Sequence, residues 1–479
     1  MVKEKNNLGS IYHAVFTALS KLNQEGVDLN NLISENPKKA LKSLFFPTFF
    51  TLFCLSFNGL VDSIFVSECG AASLIGVGVI QSIFVILVGV GTGLSVATNS
   101  ALSYVLSKYS SMKYARNIID NTIVFTLVIG IISSILLVVF LKPILIALNI
   151  HDAFEPALIY GTILFSGNVF FFFASVIPAI LKAEGEVIKS TYALISTSLL
   201  NVLLDYILIH VLGYGVFGAA IATTFCSFLC CTLLVYFMKK SDNIHVVVSK
   251  IPSNIDLGII KRLLLDSIPV AFECAVLSLF GFLANMLFNV FATPAEFAAF
   301  VAAYKVYNFA IMPIVGLSES NITIVAYLYG KNNFQKIKDL FKYELKIGIF
   351  VSCILYALIF IFRDFISYIY LLSDSTSAID VMSQALIILN LLLIIMPLGL
   401  LSVSLLQGTQ SYKESFIVSS IRSLLLEIFL GFVFAYLIGG AYGIYIGFIL
   451  GAIIGCIISY VITRYIINKK SKLDDGGNY

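Results

Sequence analysis

Tryptophan is absent from the 479 residues, and charged residues make up only 12% of them. A soluble globular chain carries roughly 25% charged residues. The shortage leaves too little polar surface to cover a water-facing particle, so lipid must be the solvent for most of the chain. Without Trp, any interfacial aromatic belt falls to Tyr. Histidine is also scarce: the four present are scattered. No His-rich or carboxylate-rich interfacial motif appears, which argues against an intramembrane enzyme. The eight cysteines lie in or beside apolar stretches, and no spacing among them resembles a zinc or redox site. They read as small apolar filling. No cofactor, resident metal or nucleic-acid partner is expected. The partners expected are the bilayer and a small molecule, and the chain is expected to act as a monomer.

What fills the chain is apolar residues, at 59%, with a mean hydropathy of +0.98. About 20 such residues cross the roughly 30 Å hydrocarbon core as a helix. Breaks at charged and Gly/Pro clusters give twelve spans, near 41–67, 74–106, 117–142, 156–181, 188–212, 215–239, 262–291, 297–328, 337–363, 378–406, 412–438 and 441–467. The first forty residues, with Ile11, Val15, Leu19 and Leu22 at helical spacing, read as a cytoplasmic amphipathic leader and not as a signal peptide. With the N-terminus inside, all but four of the 30 Lys and Arg fall on the inner side; the four are Lys142, Lys305, Arg363 and Arg422. That asymmetry follows the positive-inside rule and requires an even number of spans with both termini cytoplasmic. A plasma-membrane location is expected.

The polar loop near 240–261 divides the spans six and six. Gly93-Leu94-Ser95, Tyr104 and Lys108 in span 2 match Gly316-Leu317-Ser318, Tyr327 and Lys331 in span 8 at one offset of 223 residues. Pro47 of span 1 matches Pro269 of span 7 at nearly the same offset. Six spans separate the copies, so this is a parallel repeat about an axis along the membrane normal. The expected fold class is all-α: twelve transmembrane helices in two six-helix lobes, an N-lobe over 41–239 and a C-lobe over 262–467, with a linker over 240–261 and a tail over 468–479. Two such bundles enclose a central cleft suited to alternating access.

Ionisable residues within a span are expensive and are functional candidates by default. Asp62 in span 1, Asn201 and Asp205 in span 5 and Thr223 in span 6 are the clearest. At 1.5 Å per residue all four lie roughly 8–12 Å below the outer surface. Asn201 and Asp205, at i and i+4, share a helix face, and Tyr160 of span 4 can reach the same layer. Carboxylates, an amide and a hydroxyl make an all-oxygen set suited to a hard cation such as Na⁺. A proton can stand in for the metal, since two adjacent carboxylates resist ionising together. Glu273 and Lys305 each fall near mid-membrane and form a second candidate, a C-lobe polar pair. Arg422 and Glu427 are five apart, a poor same-face spacing, and are expected to be structural. Glu319 is expected to face a hydrated cleft. Pro47, Pro178, Pro269, Pro313 and Pro397 interrupt spans and offer kinks.

LKAEGE from Leu181, NVLLDYILI from Asn201, GYGVFGAAIATT from Gly213 and FNGLVDSIFVSECGAASLIGVG around Asp62 together resemble the multidrug and toxic compound extrusion (MATE) family. MPIVGLSESN near Gly316 and LLQGTQSYK near Gln407 extend the likeness over roughly 40–465. The resemblance implies two six-helix lobes in a V and export of cationic or amphiphilic compounds in exchange for Na⁺ or H⁺. It also implies an N-lobe cation site at Asp62, Asn201, Asp205, Thr223 and Tyr160, with Pro47 as a hinge. Other branches use an acidic pair on helices 7 and 10. Here span 10 has no buried acid, and Glu273 sits about one turn nearer its proline than that pattern expects. The alternative is a lipid-linked oligosaccharide flippase of the same superfamily, although such proteins carry extra helices and a basic cleft. A channel would need a filter loop and oligomeric symmetry, and neither is evident.

Overall fold

Asn36 caps the first long helix by accepting from the Lys39 amide, with Pro37 at its first position. That start is one of many that local chemistry fixes in the computed structural model, which describes residues 29–109, 112–240, 255–371 and 376–475. The described residues are helical and contain no strand. A short helix, Leu29–Glu35, precedes twelve spans. In the N-lobe these are α1 (Pro37–Glu68), α2 (Ala71–Lys108), α3 (Met112–Ala147), α4 (Phe154–Ser166 with Asn168–Ala183), α5 (Val187–Asp205, continuing as a π-helix over Tyr206–Val211) and α6 (Gly215–Lys240). In the C-lobe they are α7 (Leu257–Phe291), α8 (Pro294–Ala310 with Met312–Gly330), α9 (Phe334–Leu371), α10 (Thr376–Asn390 with Leu392–Gly408), α11 (Tyr412–Ser420, a π-helix over Ile421–Ile428, then Phe429–Ile438) and α12 (Gly440–Asp475). Positions 11, 15, 19 and 22 of the expected leader, and 241–254 of the linker, lie outside the described residues.

Each lobe repeats the same local devices. The α4 span bends by 50° at Gly167, and α8 bends by 41° at Ile311. One of the expected proline kinks is thereby relocated, while the α8 bend falls two residues before Pro313. Pro178 sits inside the second piece of α4, away from its break. Pro313 occupies the first turn after the α8 break, where its missing N–H is not needed. Gly213 and Gly215 close the α5–α6 turn with φ of +68° and +52°, and Gly439 and Gly440 close the α11–α12 turn at +85° and +65°. Only glycine takes such angles without strain.

The lobes meet through the halves of α1, α2, α7 and α8 nearest the basic residues. The repeat is used reciprocally there. Gly93 of α2 lies against α7, where a Cβ would overlap the Ser267 carbonyl oxygen; Gly316 of α8 lies against α1, where a Cβ would be 3.2 Å from Phe49 Cα. Closer to the basic face, Asn99 donates to Thr323 at 2.9 Å, and Ser100 donates to the Gln407 carbonyl at 3.0 Å. The short helix joins this seam. Leu29 and Ile33 pack with Val187 of the N-lobe and with Tyr327, Phe334 and Ile337 of the C-lobe.

Candidate functional site

The first carboxylate of the N-lobe cluster lies six residues before the end of α1, on a buried stripe that also holds Val66. The second is the last α-helical residue of α5, at the onset of the π-turns. One π-turn displaces the backbone register there, and such turns recur at functional sites. Asp62 is 8% exposed and Asp205 0%. They are near enough that each carboxylate lies in the other's field. Tyr160 of α4 is buried beside both, with its hydroxyl in reach of Thr223 and Gln81. The five residues expected from sequence are therefore brought together.

The cluster has two further members. Asn58 Nδ2 donates to Asn201 Oδ1 at 2.8 Å, tying α1 to α5. Asn58 stands one helical turn before Asp62, so the same i, i+4 argument that paired Asn201 with Asp205 would have found it. Gln81 of α2 reaches the Tyr160 hydroxyl. It had no detectable signal, since α2 approaches α4 only through tertiary packing.

Several polar atoms here are left without partners. Asp62 Oδ1, both Asp205 carboxylate oxygens, Asn58 Oδ1 and Asn201 Nδ2 are buried with no hydrogen bond among the described residues. A buried, unpaired carboxylate is costly unless a proton or a cation neutralises it. Four of these five atoms are oxygens, a donor set that fits a hard cation or a proton.

A cavity of about 520 Å³ opens in front of the cluster. Its far wall includes Asn58, Asn201 and Thr223, and the two carboxylates lie behind that wall. Its floor toward the basic face carries Lys182 of α4 and Glu319 of α8, paired across the lobes at 3.5 Å. Pro47 is buried one turn before Thr51, which donates to its carbonyl at 2.9 Å and to Thr191 of α5 at 3.2 Å. The proline thus sits within the lobe seam, between Leu44 and Phe49, on the helix that carries Asp62.

The expected Glu273–Lys305 pair does not form. Lys305 is exposed, while Glu273 accepts from Gln407 at 3.1 Å and from Ser415 at 2.9 Å. The cation facing Glu273 is Arg422. The reason is the π-helix over Ile421–Ile428. Its wider turns, closed by i→i+5 hydrogen bonds, bring Arg422 and Glu427 toward one face, with Arg422 Nε 3.8 Å from Glu427 Oε1. At 3.6 residues per turn the two side chains would diverge, and that period does not hold over this segment.

Comparison with known proteins adds the following. The MatE family model matches residues 47–207 and 269–433, one stretch in each lobe. A probable multidrug resistance protein, YoeA of Bacillus subtilis, is 22% identical over 60% of this chain and 63% of its own length. A probable multidrug resistance protein, NorM of Thermotoga maritima, is 24% identical over 64% of this chain and 66% of its own. The chain thus matches a little under two thirds of the length of these relatives. Among solved structures, a crystal structure of MATE in complex with MaL6 superimposes with a TM-score of 0.87 at 24% identity, covering 93% of this chain and 100% of that one. An outward-facing multidrug resistance MATE family transporter gives 0.86 at 24%, over 93% and 99%.

Proposed function

Since this chain belongs to the MatE family of multi-pass membrane transporters, we propose that it is a cation-coupled antiporter that exports cationic or amphiphilic small molecules. The observation that carries the reading is the pair of buried carboxylates, Asp62 and Asp205: Asp62 Oδ1 and both Asp205 oxygens lack hydrogen-bond partners behind the wall of the cavity. Two carboxylates without a fixed cation need a mobile one, and Na⁺ or H⁺ supplies it.

The orientation follows from the positive-inside rule: the basic face is cytoplasmic and both termini lie there. The seam at that face then closes the cavity to the cytoplasm, and the cavity is reached from outside. The bilayer is the plasma membrane, and the protein works as a monomer, since each chain carries both lobes and its own cluster.

Ion and substrate occupy different places. The ion binds among Asp62, Asn201, Asp205, Thr223 and Tyr160, while the substrate occupies the cavity in front of them. Neutralising the carboxylates changes how α1 and α5 pack, and α1 runs from that cluster into the lobe seam around Pro47. Ion and substrate thus compete through one bistable element.

The test is efflux of a fluorescent cation from reconstituted vesicles under a Na⁺ gradient and, separately, a pH gradient. One of the two is expected to drive efflux, and Asp62→Asn and Asp205→Asn, normally inserted, are expected to lose it at least tenfold. Full gradient-driven efflux by both variants would sink the reading.

A further inference from the structure

Arg422 is the one arginine in the middle of a span, and its surroundings are built for it. The side chain is buried in the C-lobe, with Glu427 on its own π-helical face and Glu273 facing it from α7. Tyr307 of α8 and Cys456 of α12 complete the groups that face it. Two glycines form its slot. A Cβ at Gly455 of α12 would fall 2.7 Å from Arg422 Cγ and 2.9 Å from its Cα. A Cβ at Gly399 of α10 would overlap Arg422 Nη1. The backbones of α10 and α12 thus close on the guanidinium stem where any larger residue would displace it.

The polar atoms around it are also informative. Glu273 is satisfied by Gln407 and Ser415. Arg422 Nε and Nη1 and Glu427 Oε1 make no hydrogen bond among the described residues. They hold together at 3.8 Å by charge alone. Breaking such a buried pair by removing one partner strands the other charge.

We propose that Arg422 is the resident cation of this C-lobe centre: it takes the place between Glu273 and Glu427 that a mobile ion would otherwise fill, so this centre exchanges no ion with solvent. The N-lobe cluster presents two carboxylates and no cation; the C-lobe centre presents two carboxylates with the cation covalently attached. An ion fixed to the chain cannot dissociate into either compartment, so it neutralises charge without coupling to a gradient.

The proposal is tested by thermal melting of purified protein in detergent, with millimolar guanidinium chloride or choline chloride added. Arg422→Gln is expected to melt several degrees below the parent, and guanidinium, but not choline, to restore it saturably, as expected for a ligand that binds only the folded state. Arg422→Gln/Glu427→Gln, which removes a carboxylate along with the cation, is expected to melt closer to the parent than Arg422→Gln. If Arg422→Gln fails to accumulate, accumulation of the double variant supports the proposal and its absence overturns it. A deficit that neither guanidinium nor Glu427→Gln relieves would make Arg422 a packing residue and overturn the idea, as would parent-like melting of Arg422→Gln. Rescue is expected to persist in an Asp62→Asn/Asp205→Asn background; its loss there would place the rescuing ion in the wrong lobe. Melting requires no transport, so these outcomes stand apart from whether the protein exports by ion exchange.

Discussion

On its first and fifth helices each lobe buries one carboxylate, yet the two resulting pairs are finished differently. In the N-lobe, Asp62 and Asp205 face each other with an amide, a phenol and a hydroxyl but no cation. In the C-lobe, Glu273 is held by two hydrogen-bond donors and Glu427 by Arg422, inside a slot made by glycines of α10 and α12. The depths differ as well. Glu273 lies sixteen residues into α7, whereas Asp62 lies twenty-five into α1. A duplicated frame has therefore diverged into one loosely satisfied site and one locked centre. Loose satisfaction is what a site needs if its ligand is to come and go, while locking is what a bundle needs if it is to move as a rigid body.

That contrast predicts opposite costs for substitutions in the two lobes. The largest effect expected is on stability in the C-lobe. Gly455→Ala must push apart α11 and α12 backbones and is expected to cost about 1–3 kcal/mol, the usual range for overpacking. Gly281→Ala in α7, where a Cβ meets nothing within 4 Å, is the control, expected to be neutral or stabilising by about 0.5–1 kcal/mol. Equal melting temperatures for the two would remove the claim that the C-lobe centre is locked.

In the N-lobe the same assay should read the reverse. Asp205→Asn removes a buried charge that lacks partners, so its melting temperature is expected to equal or exceed the parent's, while any shift induced by the coupling ion disappears. A strongly destabilised Asp205→Asn would mean that the carboxylate holds the fold and that the lobes do not differ in kind.

A smaller change is expected at Asn58. Its amide fixes the Asn201 oxygen at 2.8 Å, and groups that orient a ligand typically contribute 10–100-fold to ion affinity. Asn58→Ala is thus expected to raise the ion concentration for half-maximal efflux by about tenfold with little change at saturation. The smallest effect belongs to Lys305→Ala. An exposed lysine outside the Glu273 network should change stability by less than about 0.5 kcal/mol, and a larger loss would reopen the pairing that Arg422 replaces.

How much of this could be read from the chain depended on whether a helix kept its ordinary period. Asp62, Asn201, Asp205, Thr223 and Tyr160 converge as depth counting required, because each count ran only a few residues from a helix end. Asn58 was legible by the same rule. Glu273 was found, but its partner was misassigned, since choosing between Lys305 and Arg422 requires knowing how α7 sits against α8 and α11. Arg422 and Glu427 were judged to be off one another's face at 3.6 residues per turn, and the π-segment Ile421–Ile428 reverses that judgement. The bend at Gly167 was also invisible, since it falls away from Pro178 and depends on packing between helices, whereas the bend at Ile311 lies where Pro313 offered a kink.

The sequence alone determined the solvent, the number of spans, the duplication and the positions that cannot avoid burying charge. These follow from apolar run length, from the placement of Lys and Arg and from a fixed offset between like residues, all of which are local or additive properties. The tertiary structure decided which buried charges neutralise each other. That outcome depends on helix rotation and on two short π-segments, which leave one carboxylate pair in need of an ion and give the other its own.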